Sequence, residues 1–210
     1  MPDQPTRGRF ITLEGIDGAG KSTHARFLAE TLSGRGRQVV ATREPGGTSA
    51  GEAIREWLLH QAMAHDTEAL LMFAARREHV AQVIQPALAR GDIVLCDRFT
   101  DATYAYQGAG YGVSLAMIDA LAAWVHGNCN PDLTLLFDVP SEVSRERLAR
   151  MHAKGKAQDR FERETPGFFG RVREGYLARA AAEPARFRVI DSTRPVAEVR
   201  AELCRIVDAL

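Results

Sequence analysis

An α/β fold, a five-stranded parallel sheet with helices on both faces, is predicted by three observations. Five short apolar runs alternate with helical patterns along the 210 residues, as parallel strands require because each crossover needs a connecting helix. The first run leads into Gly15-Ile16-Asp17-Gly18-Ala19-Gly20-Lys21-Ser22, which matches G-x-x-x-x-G-K-[ST]. No Gly/Ser/Pro-rich linker or internal repeat interrupts the chain, so one domain over 9–210 is expected behind a loose, flexible tail over 1–8.

The elements follow in order. The β-branched and aromatic run from Phe10 to Glu14 reads as a buried strand, and Thr23 to Ser33 carries Ala25, Leu28, Ala29 and Leu32 at helical spacing. Strand, glycine loop and helix in that order aim a helix N-terminus at phosphate. In such a loop the glycines let backbone N–H groups close around phosphates, the lysine reaches the β and γ oxygens, and the hydroxyl ligates Mg²⁺. The residues expected to contact ATP are Gly15, Ile16, Asp17, Gly18, Ala19, Gly20, Lys21, Ser22 and Thr23.

The second strand, Gln38 to Thr42, leads into Arg43-Glu44-Pro45-Gly46-Gly47-Thr48. This segment is a plain turn or a binding loop, since ligands of open α/β sheets lie at the carboxyl ends of strands. A helix is expected over Thr67 to Ala89, broken only by Pro86, with Leu70, Phe73, Arg77, Val80 and Ile84 on adjoining faces. Phe73 and Arg77 are four apart and share a face. They suit a flat heterocycle, though a core ring beside a solvated arginine is the plainer alternative.

The third strand, Ile93 to Cys96, ends in Asp97-Arg98. An acid there holds Mg²⁺ directly or through water, and the arginine can clamp an anionic acceptor; an exposed ion pair is the plainer alternative. Asp101 to Gly108 reads as a short helix stopped by glycine. Its Thr103 and Gln107 either read a base edge or are surface positions. Ser114 to His126 is a structural helix with Leu115, Ile118, Leu121, Ala122 and Val125 at core spacing.

After the fourth strand, Leu133 to Val139, comes a basic segment: Arg145, Arg147, Arg150, Lys154, Lys156, Arg160 and Arg163. Gly155 and mixed charges from His152 to Asp159 break the helical pattern, as in a mobile lid over about 148–165 or a solvated charge run. A helix over Arg171 to Ala182 and a fifth strand, Phe187 to Ile190, follow. Asp191-Ser192-Thr193 is expected to cap a last helix with Val196, Val199, Leu203, Ile206 and Leu210 inward.

Formal net charge is zero, which argues against a general nucleic-acid footprint. Cys96, Cys129 and Cys204 form no C-x-x-C, so reduced thiols are expected rather than a disulfide framework or zinc site. No signal-peptide core and no run of about 18 apolar residues occurs. A cytoplasmic protein without a membrane segment is expected.

Glu14 to Ser22, Asp97-Arg98-Phe99 and Tyr106-Gln107-Gly108 together closely resemble the thymidylate kinases of the bacterial type, in which the lid supplies the basic residues. The resemblance runs from about Arg9 onward, through Thr42 to Thr48, Leu71 to Arg77, Pro131 to Leu135 and Asp159-Arg160-Phe161-Glu162. It implies a P-loop kinase fold, a homodimer, Mg²⁺, and transfer from ATP to dTMP giving dTDP for dTTP supply. It also implies that Phe73 stacks on thymine, Arg77 bonds O4, and Thr103 and Gln107 reach the other polar edge. Asp17 would bond the 3′-hydroxyl, Tyr106 would crowd the 2′ position, and Arg43 and Arg98 would hold the monophosphate. Two departures stand out: Tyr111 where the family usually has arginine, and Lys154 where the lid usually has one. Lysine is a point charge and not a fork, so Arg150 or Arg160 is expected to carry more of the transition-state charge alongside Lys21 and Arg98. The rival readings are a kinase of another nucleotide or nucleoside, and a nucleotide-dependent switch; no N-K-x-D guanine-reading string occurs.

Overall fold

A computed structural model describes residues 7–155 and 157–209. Lys156 of the expected lid, most of the expected tail and Leu210 lie outside the described residues. Five parallel strands are present: β1 (Phe10–Glu14), β2 (Val39–Arg43), β3 (Ile93–Asp97), β4 (Leu133–Asp138) and β5 (Phe187–Asp191). Their order in the sheet is β2-β3-β1-β4-β5. In register, Thr12 lies beside Cys96 on one side and Thr134 on the other. The central strands are covered on both faces, which is why they read as largely apolar runs, whereas β2 and β5 are half open along the edges.

The helices are α1 (Lys21–Gly34), α2 (Ser49–His60), α3 (His65–His79), α4 (Gln85–Ala89), α5 (Thr100–Thr103), α6 (Leu115–Val125), α7 (Ser141–His152), α8 (Pro166–Ala182) and α9 (Val196–Asp208). Leu28 and Leu32 of α1, Leu203 of α9 and Phe168 and Val172 of α8 belong to one buried core. A second cluster is built from Phe10, Val94 and Phe99 with Val80, Ile84 and Leu88.

Several expectations are corrected. Helix α2 is not marked out by the sequence reading; Thr48 caps it, accepting from the Gly51 N–H at 3.0 Å. The single expected helix to Ala89 is α3, a π turn over Val80–Ile84, and α4. In that turn the Gln85 N–H bonds Val80 O, five residues back. The wider turn opens room immediately before Pro86, whose ring would otherwise press on the preceding turn. The short helix after Asp101 continues as a π turn over Tyr104–Gly110. Helix α8 starts five residues earlier than expected, with Thr165 as cap and Pro166 in the first turn. Asp191 does not cap α9; its Oδ1 accepts from Thr193 N and Oγ1 at the strand exit. Val199, Leu203 and Val207 form the inward row of α9, and Val196 is exposed.

The two described ends of the chain are tied down away from the carboxyl edge of the sheet. Arg7 bonds Asp132, just before β4, and Asp208 pairs with Arg35, just past α1. Among the described residues no helix is long and apolar enough to cross a membrane. The three cysteines are unpaired.

Candidate functional site

Loops leaving the carboxyl ends of β1, β2, β3 and β4 converge on one edge of the sheet. In the first, Gly15, Gly18 and Gly20 have φ of 134°, 78° and 97°, a region that side chains avoid. A Cβ on Gly15 would stand 2.4 Å from Phe137 O, so only glycine fits. Gly20 precedes α1, whose N-terminus has no side-chain cap and faces the loop. The buried Lys21 lies along this loop, its Nζ donating to Gly15 O at 2.9 Å and Ile16 O at 3.0 Å. Burial lowers its pKa, reinforced by Arg98 and opposed by Asp17.

Ser22, in the first turn of α1, meets Asp97 at the end of β3, Ser22 Oγ donating to Asp97 Oδ2 at 3.2 Å. The other carboxylate oxygen, Asp97 Oδ1, is buried without a partner among the described residues. A hydroxyl beside an unsatisfied carboxylate is a hard-oxygen set that fits Mg²⁺.

Arg98 is the one non-glycine residue with positive φ, 72°, among the described residues. Its backbone is pinned on both sides: Arg98 N–H donates to Leu13 O at 3.0 Å, and Phe99 N–H to Glu14 Oε1 at 2.7 Å. The guanidinium donates to Asp17 Oδ1 at 2.6 Å, Tyr106 Oη at 3.0 Å, Gly15 O at 3.1 Å and Tyr176 Oη at 3.0 Å. Burial tends to raise the Asp17 pKa, but Arg98 and Lys21 outweigh it and hold the carboxyl below the usual range. Glu14 behaves oppositely: burial, reinforced by Asp101, pushes it up to about 8.

Two chambers open on this junction. The first is lined by Met72, Arg76, Thr103, Tyr106, Gln107 and Phe161. The second is lined by Lys21, Ser22, Thr23, Arg43, Asp97, Arg147, Arg150 and Arg194. Asp17, Glu44, Arg55, Arg98 and Asp159 border both.

Most expected site residues come together here, but the side chains of Phe73, Arg77, Arg160 and Lys154 do not. Phe73 points the other way, buried with Ala69, Ile118, Ala122 and Val125, and Arg77 donates to Val125 O at 3.1 Å. The chamber takes Met72 and Arg76 instead, one position earlier and therefore about 100° around the helix. Arg160 is drawn away from the second chamber by Leu58 O at 3.1 Å and Glu68 Oε2 at 2.5 Å. Arg150 lines the second chamber and pairs with Glu146 at 3.2 Å, while the exposed Lys154 lies outside both chambers.

The sequence reading also missed residues. Arg76 is fully enclosed, donating to Glu44 at 2.7 Å and Thr103 at 3.2 Å. Arg55 donates to Pro45 O at 3.0 Å, and Arg147 to Ser192 O at 2.8 Å. The available signal was the phase of α3: Leu70 is 52 % exposed, so a core stripe drawn through it is rotated off the true one. Tyr111, at the position of the family's usual arginine, bonds Glu164 at 2.8 Å and stacks on His65.

A phosphate-binding loop, a Mg²⁺-suited acid and a second anion-binding chamber sharing one arginine define a P-loop enzyme that moves a phosphoryl group between two bound substrates. The family model for thymidylate kinase matches residues 13–203, and the chain belongs to that family. Similar proteins include the thymidylate kinase of Methylobacillus flagellatus, 60 % identical over 96 % of this chain and 97 % of that one. The thymidylate kinase of Bordetella petrii is 59 % identical over 97 % of each. The crystal structure of thymidylate kinase from Ehrlichia chaffeensis superposes with a TM-score of 0.78 at 36 % identity, covering 96 % of this chain and 99 % of that one.

Proposed function

We propose that this protein transfers the γ-phosphoryl group of ATP to dTMP, giving dTDP. The observation that carries the reading is the Asp17–Arg98 junction between the two chambers. One guanidinium borders the glycine loop and the acceptor chamber at once, where donor and acceptor phosphates must meet. The acceptor is already an anionic oxygen, so no strong base is needed; the difficulty is electrostatic. Two unit charges about 4 Å apart repel by roughly 4 kcal/mol at an effective dielectric of 20, and several such pairs are brought together.

Lys21 and the α1 N-terminus bind the donor phosphates, and Arg43, Arg55 and Arg98 gather around the acceptor phosphate. Ser22 and Asp97 would hold Mg²⁺, which when bound spreads charge over the β and γ oxygens. Arg147 and Arg150 enter from the segment leading into the lid, and Arg160 fastens that lid to α2 and α3. Met72 and Arg76 take the base-binding places expected of Phe73 and Arg77, with Thr103 and Gln107 beside them. Tyr106, bonded to Asp17 at 2.9 Å, closes the sugar end. In-line transfer then rests on positioning and fixed positive charge.

The protein is read as a homodimer that joins through α3 and α6. There Leu70, Leu115 and Trp124 are exposed, Trp124 by 82 %, and exposed large apolar side chains on neighbouring helices suit a protein–protein contact. Its unpaired cysteines support a cytoplasmic setting.

A coupled ADP-release assay with dTMP, dUMP, dCMP, dGMP, UMP and thymidine tests the reading. Strong turnover with dTMP and little with UMP or thymidine is expected. A folded, ATP-binding sample that turns over none of them would favour a nucleotide switch.

A further inference from the structure

Glu68, on α3, touches neither phosphate chamber, yet its side chain is completely enclosed. Its oxygens are divided between two partners: Oε1 accepts from Gln107 Nε2 at 2.5 Å and Oε2 from Arg160 Nη2 at 2.5 Å. A carboxylate in an ion pair has no hydrogen to give. Gln107 must therefore turn its NH₂ toward Glu68, and its carbonyl end is left for the chamber that Gln107 lines. Thr103 is polarised the opposite way. Its Oγ1 accepts from Nη1 and Nη2 of Arg76, both at 3.2 Å, which leaves the hydroxyl hydrogen to be donated.

We propose that Glu68 is a positioning residue that fixes the polarity of the Gln107 amide, so that the chamber selects an imide edge over that of cytosine. The proposal rests on reading Gln107 as a contact to the base. An imide edge presents a carbonyl beside an N–H, the complement of a donated hydroxyl and an exposed amide oxygen. Cytosine presents an amino group beside a bare ring nitrogen. Against it, Gln107 either points its oxygen at the ring nitrogen or flips and points it at Glu68. Each orientation sets two acceptors face to face, and selectivity is built by that repulsion.

The test measures kcat/KM for dTMP and dCMP in Glu68→Gln, Glu68→Ala, Glu68→Asp, Arg160→Lys and Gln107→Leu, with folding checked by circular dichroism. Gln and Ala at 68 no longer force the amide, so the dTMP preference should fall by about tenfold or more in each. Either variant suffices if the other fails to fold. Asp still only accepts and should keep the preference within about threefold, with a higher dTMP KM. Arg160→Lys should lower turnover with both acceptors alike. Equal losses on both acceptors in the Gln and Ala variants would reduce Glu68 to a structural support and overturn the proposal. So would a preference that shifts with Arg160→Lys, which would place selectivity in the lid. If Gln107→Leu leaves the KM for dTMP unchanged, the base contact itself is lost and the proposal with it. If that variant raises KM while the Glu68 variants keep the preference, the contact stands and only the role of Glu68 falls.

Discussion

Arg98 concentrates several demands in one residue. It takes a left-handed backbone that costs roughly 1 kcal/mol, and its guanidinium reaches Asp17, Tyr106 and Tyr176 together. Arg98→Ala should lower kcat/KM for dTMP by at least about 100-fold, as expected when a charge-assisted fork is removed, while the KM for ATP moves by less than about fivefold. Equal losses for both substrates would reject the acceptor role. The neighbouring helix gives a sharper residue-level contrast. Arg77→Ala should leave the dTMP KM within about twofold, Met72→Ala should raise it roughly tenfold, and Phe73→Ala should cost about 3–5 kcal/mol of stability as a core truncation. Steady-state kinetics and urea unfolding check all three. Residue types alone did not distinguish Arg76 from Arg77. Both follow Phe73, and which one turns inward depends on a helix phase that Glu44, from another strand's loop, helps to set.

At the scale of elements, the glycine loop and strand β1 were legible because their signals are local. The loop must accept positive φ at three positions, and the strand is buried along its whole length. Gly15→Ala meets Phe137 O and a disfavoured backbone at once, and a loss of about 2–4 kcal/mol is expected in chemical denaturation. Helix α2 was not legible. Its inward side holds little more than Gly51 and Leu58, so periodicity is faint, and the Thr48 cap is its clearest mark. The π turns over Val80–Ile84 and Tyr104–Gly110 were also invisible, since one extra residue in a turn leaves helical composition unchanged. The second of them brings Tyr106 and Gln107 into the acceptor chamber. The end of α7 was legible as a break near Gly155, but the direction taken by Arg160 was set by Glu68, 92 positions away.

For the whole molecule, parallel topology follows from alternating runs, while burial produces consequences that no run of residues announces. Glu14 sits at about 8 in the folded protein, against about 4.3 in an unfolded chain. Between these values the unfolded chain has released its proton and the folded one has kept it, so stability should decline as pH rises from about 5 to 8 and level off above. Glu14→Gln should flatten that decline, seen as a melting temperature that rises relative to that of the wild type between about pH 5 and pH 8. An unchanged slope would show that other groups carry it. Assembly is tested at the same scale: Trp124→Glu should shift the protein to monomer in sedimentation or light scattering, and a wild-type protein that is already monomeric would remove the α3–α6 interface. The ion pairs at Asp132 and Asp208 carry a practical meaning for the whole body. Strands that all run one way send every working loop to one edge, and the two described ends leave at the other. The enzyme can thus be held to a surface, or fused to another protein, by either end with its working edge facing outward.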